Sequence, residues 1–377
     1  MGSSATGSTT VGARVTGALG RWWHVVVPPL AFVALLLTWD RKIGAVETGV
    51  VAVVLVATVL AAVHHAEVVA HRVGEPFGSL VLAVAVTVIE VGLILMLMLG
   101  GGLDTSSLAR DTVFAAVMVT LNGIVGLSLL LGTSRHHLPP FNAEGTGAAL
   151  AVVTTLATLT LVLPAYTVSE PGDRYSPSQL AFVAVASLVL YVAFVATQTR
   201  AHRDFFLPVG RDGEVIDDDA HADPPSPRTT LLSLGLLIVA LVSVVGLAKA
   251  VSPAIESATA AAGIPHTFVG VVIALIVLLP EGLAASRAAL RDRMQTSLNL
   301  GIGSAIASIG LTIPAIAVAS IWLPQPLTLG LGPVQQVLFL LTVLVSVLTI
   351  IPGRATRLQG IVHLSLFAAF VFLAITP

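Results

Sequence analysis

The chain contains no cysteine, and charged residues make up only 10% of its 377 positions. Without cysteine there is no disulfide, no thiolate-ligated metal and no cysteine nucleophile. Aromatic residues are also scarce, at 5%. Lys and Arg number 18 against 20 Asp and Glu, a net charge of −2, and no basic cluster stands out that would neutralise a phosphate backbone, so no nucleic-acid partner is expected. What the chain has instead is apolar mass: 56% of its residues are hydrophobic and the mean hydropathy is +0.97. That composition does not suit a water-soluble globule and reads as a polytopic membrane protein surrounded by lipid bilayer.

Apolar runs long enough to cross the hydrocarbon core as helices, about 20 residues for ~30 Å, recur along the whole chain. Eleven stand out, at 23–39, 43–66, 78–99, 112–132, 145–168, 177–199, 229–250, 267–290, 296–323, 331–351 and 358–376. The expected fold is all-α, with eleven transmembrane helices: one N-terminal helix and two inverted five-helix repeats. Residues 1–22 are rich in Gly, Ser and Thr, lack a signal-peptide cleavage pattern and read as a disordered cytosolic tail. The extra helix then occupies 23–40, the repeats 41–200 and 229–377, and an acidic cytosolic connector 201–228. That connector carries Asp212, Glu214, Asp217, Asp218, Asp219 and Asp223 before Pro224-Pro225-Ser226-Pro227.

Short cytoplasmic loops collect lysine and arginine. With the N-terminus inside, thirteen of the 18 basic residues fall on inner segments, which predicts a cytosolic N-terminus, an outer C-terminus and a location in the cytoplasmic (inner) membrane.

Two acids break the apolar runs. Glu90 lies within 78–99 and Glu281 within 267–290, deeper than any other carboxylate. A charge at the bilayer centre costs about 2.5–3.5 kcal/mol even on lenient insertion scales, so both read as functional. A shift of 191 lays Glu90 on Glu281, Val81 on Val272, Ala83 on Ala274 and Val86 on Val277. The third and eighth spans run in opposite directions, the arrangement of transporters whose substrate sits at the midplane between inverted repeats. A different shift, 177, lays Leu121-Asn122-Gly123-Ile124-Val125-Gly126 on Leu298-Asn299-Leu300-Gly301-Ile302-Gly303, glycine-rich backbone that invites unwinding or close helix approach.

Oxygen donors gather around the two acids. Pro280 cannot donate to the carbonyl of Ile276, which frees that oxygen beside Glu281. Thr87 lies one turn before Glu90, and Ser304, Ser308 and Thr312 form a stripe on the span that also carries Asn299. The candidate cation- and proton-binding set is therefore Glu90, Glu281, Asn122, Asn299, Ser304, Thr87 and Ile276, with Glu90 and Glu281 as the metal-binding pair. Carboxylate, amide, hydroxyl and carbonyl oxygens without imidazole or thiol suit Ca²⁺, which takes about 6–8 oxygens. Without a cation, two facing carboxylates in a desolvated site cannot both stay charged, and protons replace the ion. That competition predicts an antiporter exchanging Ca²⁺ for H⁺, with Na⁺ or K⁺ in place of calcium as the alternative; no resident cofactor is expected. No aspartate dyad or zinc-binding histidine motif argues for an enzyme.

His64, His65 and His71, with Glu67 and Glu75, cluster at the end of the second span and read either as a pH sensor or as an interfacial polar loop. The histidines at 136, 137, 202, 221, 266 and 363 are scattered and suggest no role.

Gly74-Glu75-Pro76-Phe77-Gly78 leading to Thr87-Val88-Ile89-Glu90, then Leu279-Pro280-Glu281 with Arg287, and Asn299-Leu300-Gly301-Ile302-Gly303-Ser304 form a recognisable set. Together they resemble the bacterial calcium/proton antiporter branch of the calcium/cation antiporter superfamily, over nearly the whole chain. The resemblance implies that Glu90 and Glu281 exchange a cation for protons, that the glycine-rich stretches complete the site, and that the helices at 43–66 and 229–250 slide to gate access. In the wider superfamily the acid often sits in a Gly-Asn-x-x-Glu context, a pattern this chain lacks, with Val88-Ile89 and Leu279-Pro280 preceding the two acids. Members of the branch are linked to sodium and potassium exchange as well.

Overall fold

A computed structural model describes residues 9–39, 41, 43–74, 77–99, 106–210, 214, 224–265, 267–323 and 326–376. Eleven membrane helices follow one another among these residues. They are α1 (Thr9–Thr38), α2 (Ala45–Val73), α3 (Phe77–Leu99), α4 (Leu108–His136), α5 (Ala143–Tyr166) and α6 (Pro177–Ala201), then α7 (Pro227–Ala262), α8 (Thr267–Leu290), α9 (Met294–Ala319), α10 (Pro333–Ile350) and α11 (Arg357–Ile375). Ten are long and apolar enough to cross a bilayer outright, and α1 carries a shorter apolar stretch, Trp22–Thr38. Helix α1 starts inside the stretch read as a tail, whose residues 1–8 lie outside the described residues. Glu75 and the connector acids Asp212, Asp217, Asp218, Asp219 and Asp223 lie outside them too.

Two apolar cores organise the bundle. One is built from α1, α2, α3 and α7, with Leu35, Val59, Ile89, Ile94, Val244 and Leu247 fully or nearly buried. The other gathers α4, α5, α6, α9, α10 and α11 around Phe114, Leu129, Leu156, Ile306 and Ile309. Helix α8 serves both, turning Val269, Ile273 and Val277 to the first and Val271, Ala274 and Leu278 to the second. The seam between the cores is where α3, α8 and α9 meet.

Glycine sets the closest approaches, as expected where van der Waals contact between helices must do the work of association in lipid. A Cβ on Gly246 of α7 would stand 2.4 Å from a methyl of Leu35 on α1, and one on Gly360 of α11 would stand 2.7 Å from the backbone nitrogen of Leu130 on α4. Helix α4 is the most enclosed element, with every residue from Asp111 to Asn122 buried.

Pro280 does not interrupt α8, and the glycines of α9 do not unwind it; both helices run through unbroken. The neighbouring helices supply packing that overrides the local weakness of Pro and Gly in a helix. The irregularities lie in other helices: π-helical turns occur at Thr158–Val162 of α5, at Thr197–Ala201 of α6 and at Val119–Ile124 of α4, the last around Asn122 and Gly123. Such turns insert one residue into an α-helix and frequently mark functional sites.

Candidate cation and proton site

Glu90 and Glu281 line one cavity of about 170 Å³, reached by Leu82, Val86 and Thr87 of α3, by Tyr191, Phe194 and Gln198 of α6, and by Asn299, Gly303, Ser304 and Ser308 of α9. Leu82, Val86 and Thr87 of α3, Tyr191, Phe194 and Gln198 of α6, and Asn299, Gly303 and Ser304 of α9 stand in the halves of those helices that end near the 201–228 connector, while Glu90 and Ser308 lie just past the midpoints of α3 and α9. The cavity therefore lies on the connector side of the two acids.

Glu90 is buried and held by α9. The Ser308 hydroxyl reaches its two carboxylate oxygens at 2.7 and 2.8 Å, and the Thr312 hydroxyl donates to Oε2 at 3.1 Å. The spacing of four residues puts both hydroxyls on the same face of α9, one turn apart. These hydrogen bonds also tie the two apolar cores together, because Ile89 belongs to one and Ile309 to the other. Glu281 has no such support: its Oε2 is buried without a hydrogen-bond partner.

The other sequence-expected ligands divide. Ser304 and Thr87 line the cavity, although the Thr87 hydroxyl donates to the Ala83 carbonyl of its own helix at 2.8 Å. Asn299 also lines it, yet its amide is already engaged: Gln295 donates to its Oδ1 at 2.8 Å and its Nδ2 donates to the Phe206 carbonyl at 2.5 Å. Ile276 is not among the lining residues; it packs at the edge of the core formed by α1, α2, α3 and α7. Asn122 is fully buried and turned away, donating to Thr342 of α10 at 2.9 Å and meeting Nδ1 of His363 of α11 at 3.1 Å.

The motif pairing of Asn122 with Asn299 requires correction. Counting along the helices, Asn122 stands fourteen residues beyond Leu108 and Ser308 fourteen beyond Met294, whereas Asn299 stands only five beyond Met294. Equal depth in the two repeats therefore relates Asn122 to Ser308. The short identity between the glycine-rich segments favoured the other register because residue identity carries no information about depth.

Several site residues escaped the sequence reading. Tyr191, Phe194 and Gln198 belong to α6, a span without any deep charge to mark it. Glu67 of α2, read with the histidine group, lies close enough to Glu281 and to Arg287 of α8 to interact electrostatically with both. His64 and His65 meet His24 of α1, with ring centroids 4.3 and 5.7 Å apart, and His65 Nε2 lies 2.8 Å from the His24 carbonyl. His71 is exposed. Among the described residues no group of three or more His, Cys, Asp or Glu is arranged to hold a metal ion.

A helical membrane bundle with two opposed intramembrane carboxylates, hydroxyls on a neighbouring helix and one shared cavity is the scaffold of a cation transporter. The chain belongs to the sodium/calcium exchanger protein family, whose model matches residues 43–200 and 232–376. It is 46% identical over 364 residues to a protein of Sinorhizobium fredii provisionally named an ionic transporter, covering 94% of this chain and 96% of that one. It is 33% identical over 350 residues to the sodium-potassium/proton antiporter ChaA of Escherichia coli, covering 92% and 94%. Its fold matches the crystal structure of the H⁺/Ca²⁺ exchanger CAX with a TM-score of 0.69 at 15% identity, over 93% of this chain and 88% of that one. The scaffold is that of the membrane cation/proton exchangers.

Proposed function

We propose that the protein exchanges Ca²⁺ for H⁺ across the cytoplasmic membrane by alternating access, with Glu90 and Glu281 shared between the cation and the protons. The observation that carries this reading is the single cavity lined by both carboxylates. Two negative charges match one divalent ion, and the hydroxyls of Ser304 and Ser308, with the amide of Gln198 and, once Gln295 releases it, the amide oxygen of Asn299, offer further hard oxygens. When the ion leaves, protons neutralise acids that lipid and protein shield from water. The connector, which the lysine and arginine distribution places in the cytosol, then marks the cavity as facing inward. Asn122 and the carbonyl of Ile276 join the ligands in other states of the cycle.

A monovalent reading, Na⁺ or K⁺ for H⁺, is supported by the 33% identity to the Escherichia coli sodium-potassium/proton antiporter. In that case one glutamate binds the ion while the other stays protonated.

Purified protein in proteoliposomes under an imposed pH gradient separates the two, with Ca²⁺, Na⁺ and K⁺ supplied one at a time. The calcium reading expects proton movement coupled to Ca²⁺ and its loss in both Glu90→Gln and Glu281→Gln. Exchange that survives either substitution refutes the shared-glutamate site; exchange of Na⁺ or K⁺ without Ca²⁺ selects the monovalent reading.

A further inference from the structure

In one repeat the deep glutamate is met by α9: Glu90 receives the Ser308 hydroxyl. The same depth in the other repeat belongs to Asn122 on α4, and the acid it should meet is Glu281. The π-helical turn that carries Asn122 packs against α8 at that level, since a Cβ on Gly282, next to Glu281, would lie 3.6 Å from Ile124. Yet Asn122 does not reach the acid, and Glu281 Oε2 is left buried without a partner.

The side chains that hold Asn122 away come from outside the four helices bearing the site. His363 on α11 is 1% exposed, and its Nδ1–H donates to the Asn122 Oδ1 at 3.1 Å while its Nε2 meets the Thr349 hydroxyl at 3.1 Å. On the other side Asn122 Nδ2 donates to Thr342 Oγ1 at 2.9 Å, and the Thr342 hydroxyl points on to the Met118 sulfur at 3.6 Å. In this chain of contacts the amide oxygen of Asn122 faces His363 and lies outside the cavity lined by Glu90 and Glu281. The backbones of α4 and α11 are pressed together at this point, where a Cβ on Gly126 would come 2.9 Å from His363 Cβ, so His363 has little room to swing aside.

Resting on the exchanger reading above, we propose that His363, together with Thr342, is a positioning residue that decides whether Asn122 belongs to the cation site. In the state seen here the pair holds the amide toward α10 and α11. In the state that loads Glu281 the amide is released, and its oxygen takes at Glu281 the place that the Ser308 hydroxyl takes at Glu90. The π turn supplies the means: moving the inserted residue along α4 past position 122 rotates that side chain by about 100°, one residue's share of a 3.6-residue turn.

A latch that stabilises the unloaded arrangement lowers apparent affinity, because binding must first undo it. His363→Leu and Thr342→Val should therefore each tighten equilibrium binding of isotopic Ca²⁺ to the purified protein, or of Na⁺ if that is the ion exchanged, by roughly five- to tenfold, the scale of one hydrogen bond made in only one of two states. Maximal exchange in proteoliposomes should fall, since release of the ion no longer gains the latch. His363→Gln, which keeps an N–H for the amide oxygen, should restore both values toward those of the parent. The decisive comparison is the same pair of substitutions in an Asn122→Ala background, where both effects should vanish because their target is gone. Unchanged affinity with only a lowered melting temperature, or the same affinity change with and without Asn122, overturns the proposal. Thr342→Val keeps the test open if His363→Leu does not fold. The Glu281→Gln variant separates the two levels: if it still exchanges, the site itself is misassigned, whereas if it is inactive and Asn122 and His363 act independently, only the latch is wrong.

Discussion

The hydroxyl of Ser308 lies 2.7 and 2.8 Å from the two carboxylate oxygens of Glu90, joining positions 218 residues apart across the seam between the two cores. Ser308→Ala leaves the buried acid with Thr312 as its remaining hydroxyl donor. Removing one partner of a buried polar group costs about 1–3 kcal/mol. We expect cation affinity and thermal stability to fall together, with Thr312→Val, the longer contact at 3.1 Å, the milder of the two. Equal exchange kinetics for Ser308→Ala and the parent would show that the hydroxyl takes no part.

Asp111 at the start of α4 is buried and accepts from Arg110 at 2.8 Å and from Ser107 at 2.9 Å, while Arg110 also donates to the Gly330 carbonyl at 3.1 Å. The pair fastens the segment before α10 to α4. Breaking a buried ion pair by removing one partner destabilises by about 3–5 kcal/mol. Asp111→Ala should lower the melting temperature in detergent markedly and raise proteolytic cleavage near Gly330. A double replacement, Arg110→Leu with Asp111→Leu, should recover much of the loss because no charge is then stranded.

Gly360 on α11 admits the backbone of α4, and any side chain there meets the Leu130 nitrogen at 2.7 Å and the Gly126 carbonyl oxygen at 3.0 Å. Backbone cannot move aside as a side chain can. Gly360→Leu should separate α4 from α11 and cost more than the about 1–3 kcal/mol usual for overpacking. Gly235 on α7, with nothing near its Cβ position, is the control that should accept alanine without loss. Thermal unfolding of the two variants checks the contrast.

Ser187 and Ser346 are buried with hydroxyl oxygens that have no hydrogen-bond partner. An unpaired buried hydroxyl is unfavourable, so replacing it with a methyl is neutral or stabilising. Ser187→Ala and Ser346→Ala should melt at or above the parent temperature. A drop of several degrees for either would mean that a water or an ion bonds the hydroxyl.

The helices and the two acids were legible without any structure, because both follow from the cost of transferring residues into lipid, a property read one position at a time. Hydropathy runs became helices, and the two carboxylates that no run could explain meet in one cavity. The stripe of Ser304, Ser308 and Thr312 was legible as a face, by its spacing of four. Its target was not.

Which residues face one another was decided by tertiary packing. Nothing local distinguishes Asn122, held by α10 and α11, from Asn299, which lines the cavity, and nothing about His363 in its apolar surroundings announces an amide partner 241 positions away. Gln198 and Tyr191 join the site only because α6 lies against α9. The amino-acid order by itself determined which groups lie deep within apolar spans, since hydropathy marks the stretches that cross the membrane. Only the assembled bundle decided lateral neighbours and the π turn of α4, because those depend on contacts between helices that the order of residues along one helix does not encode.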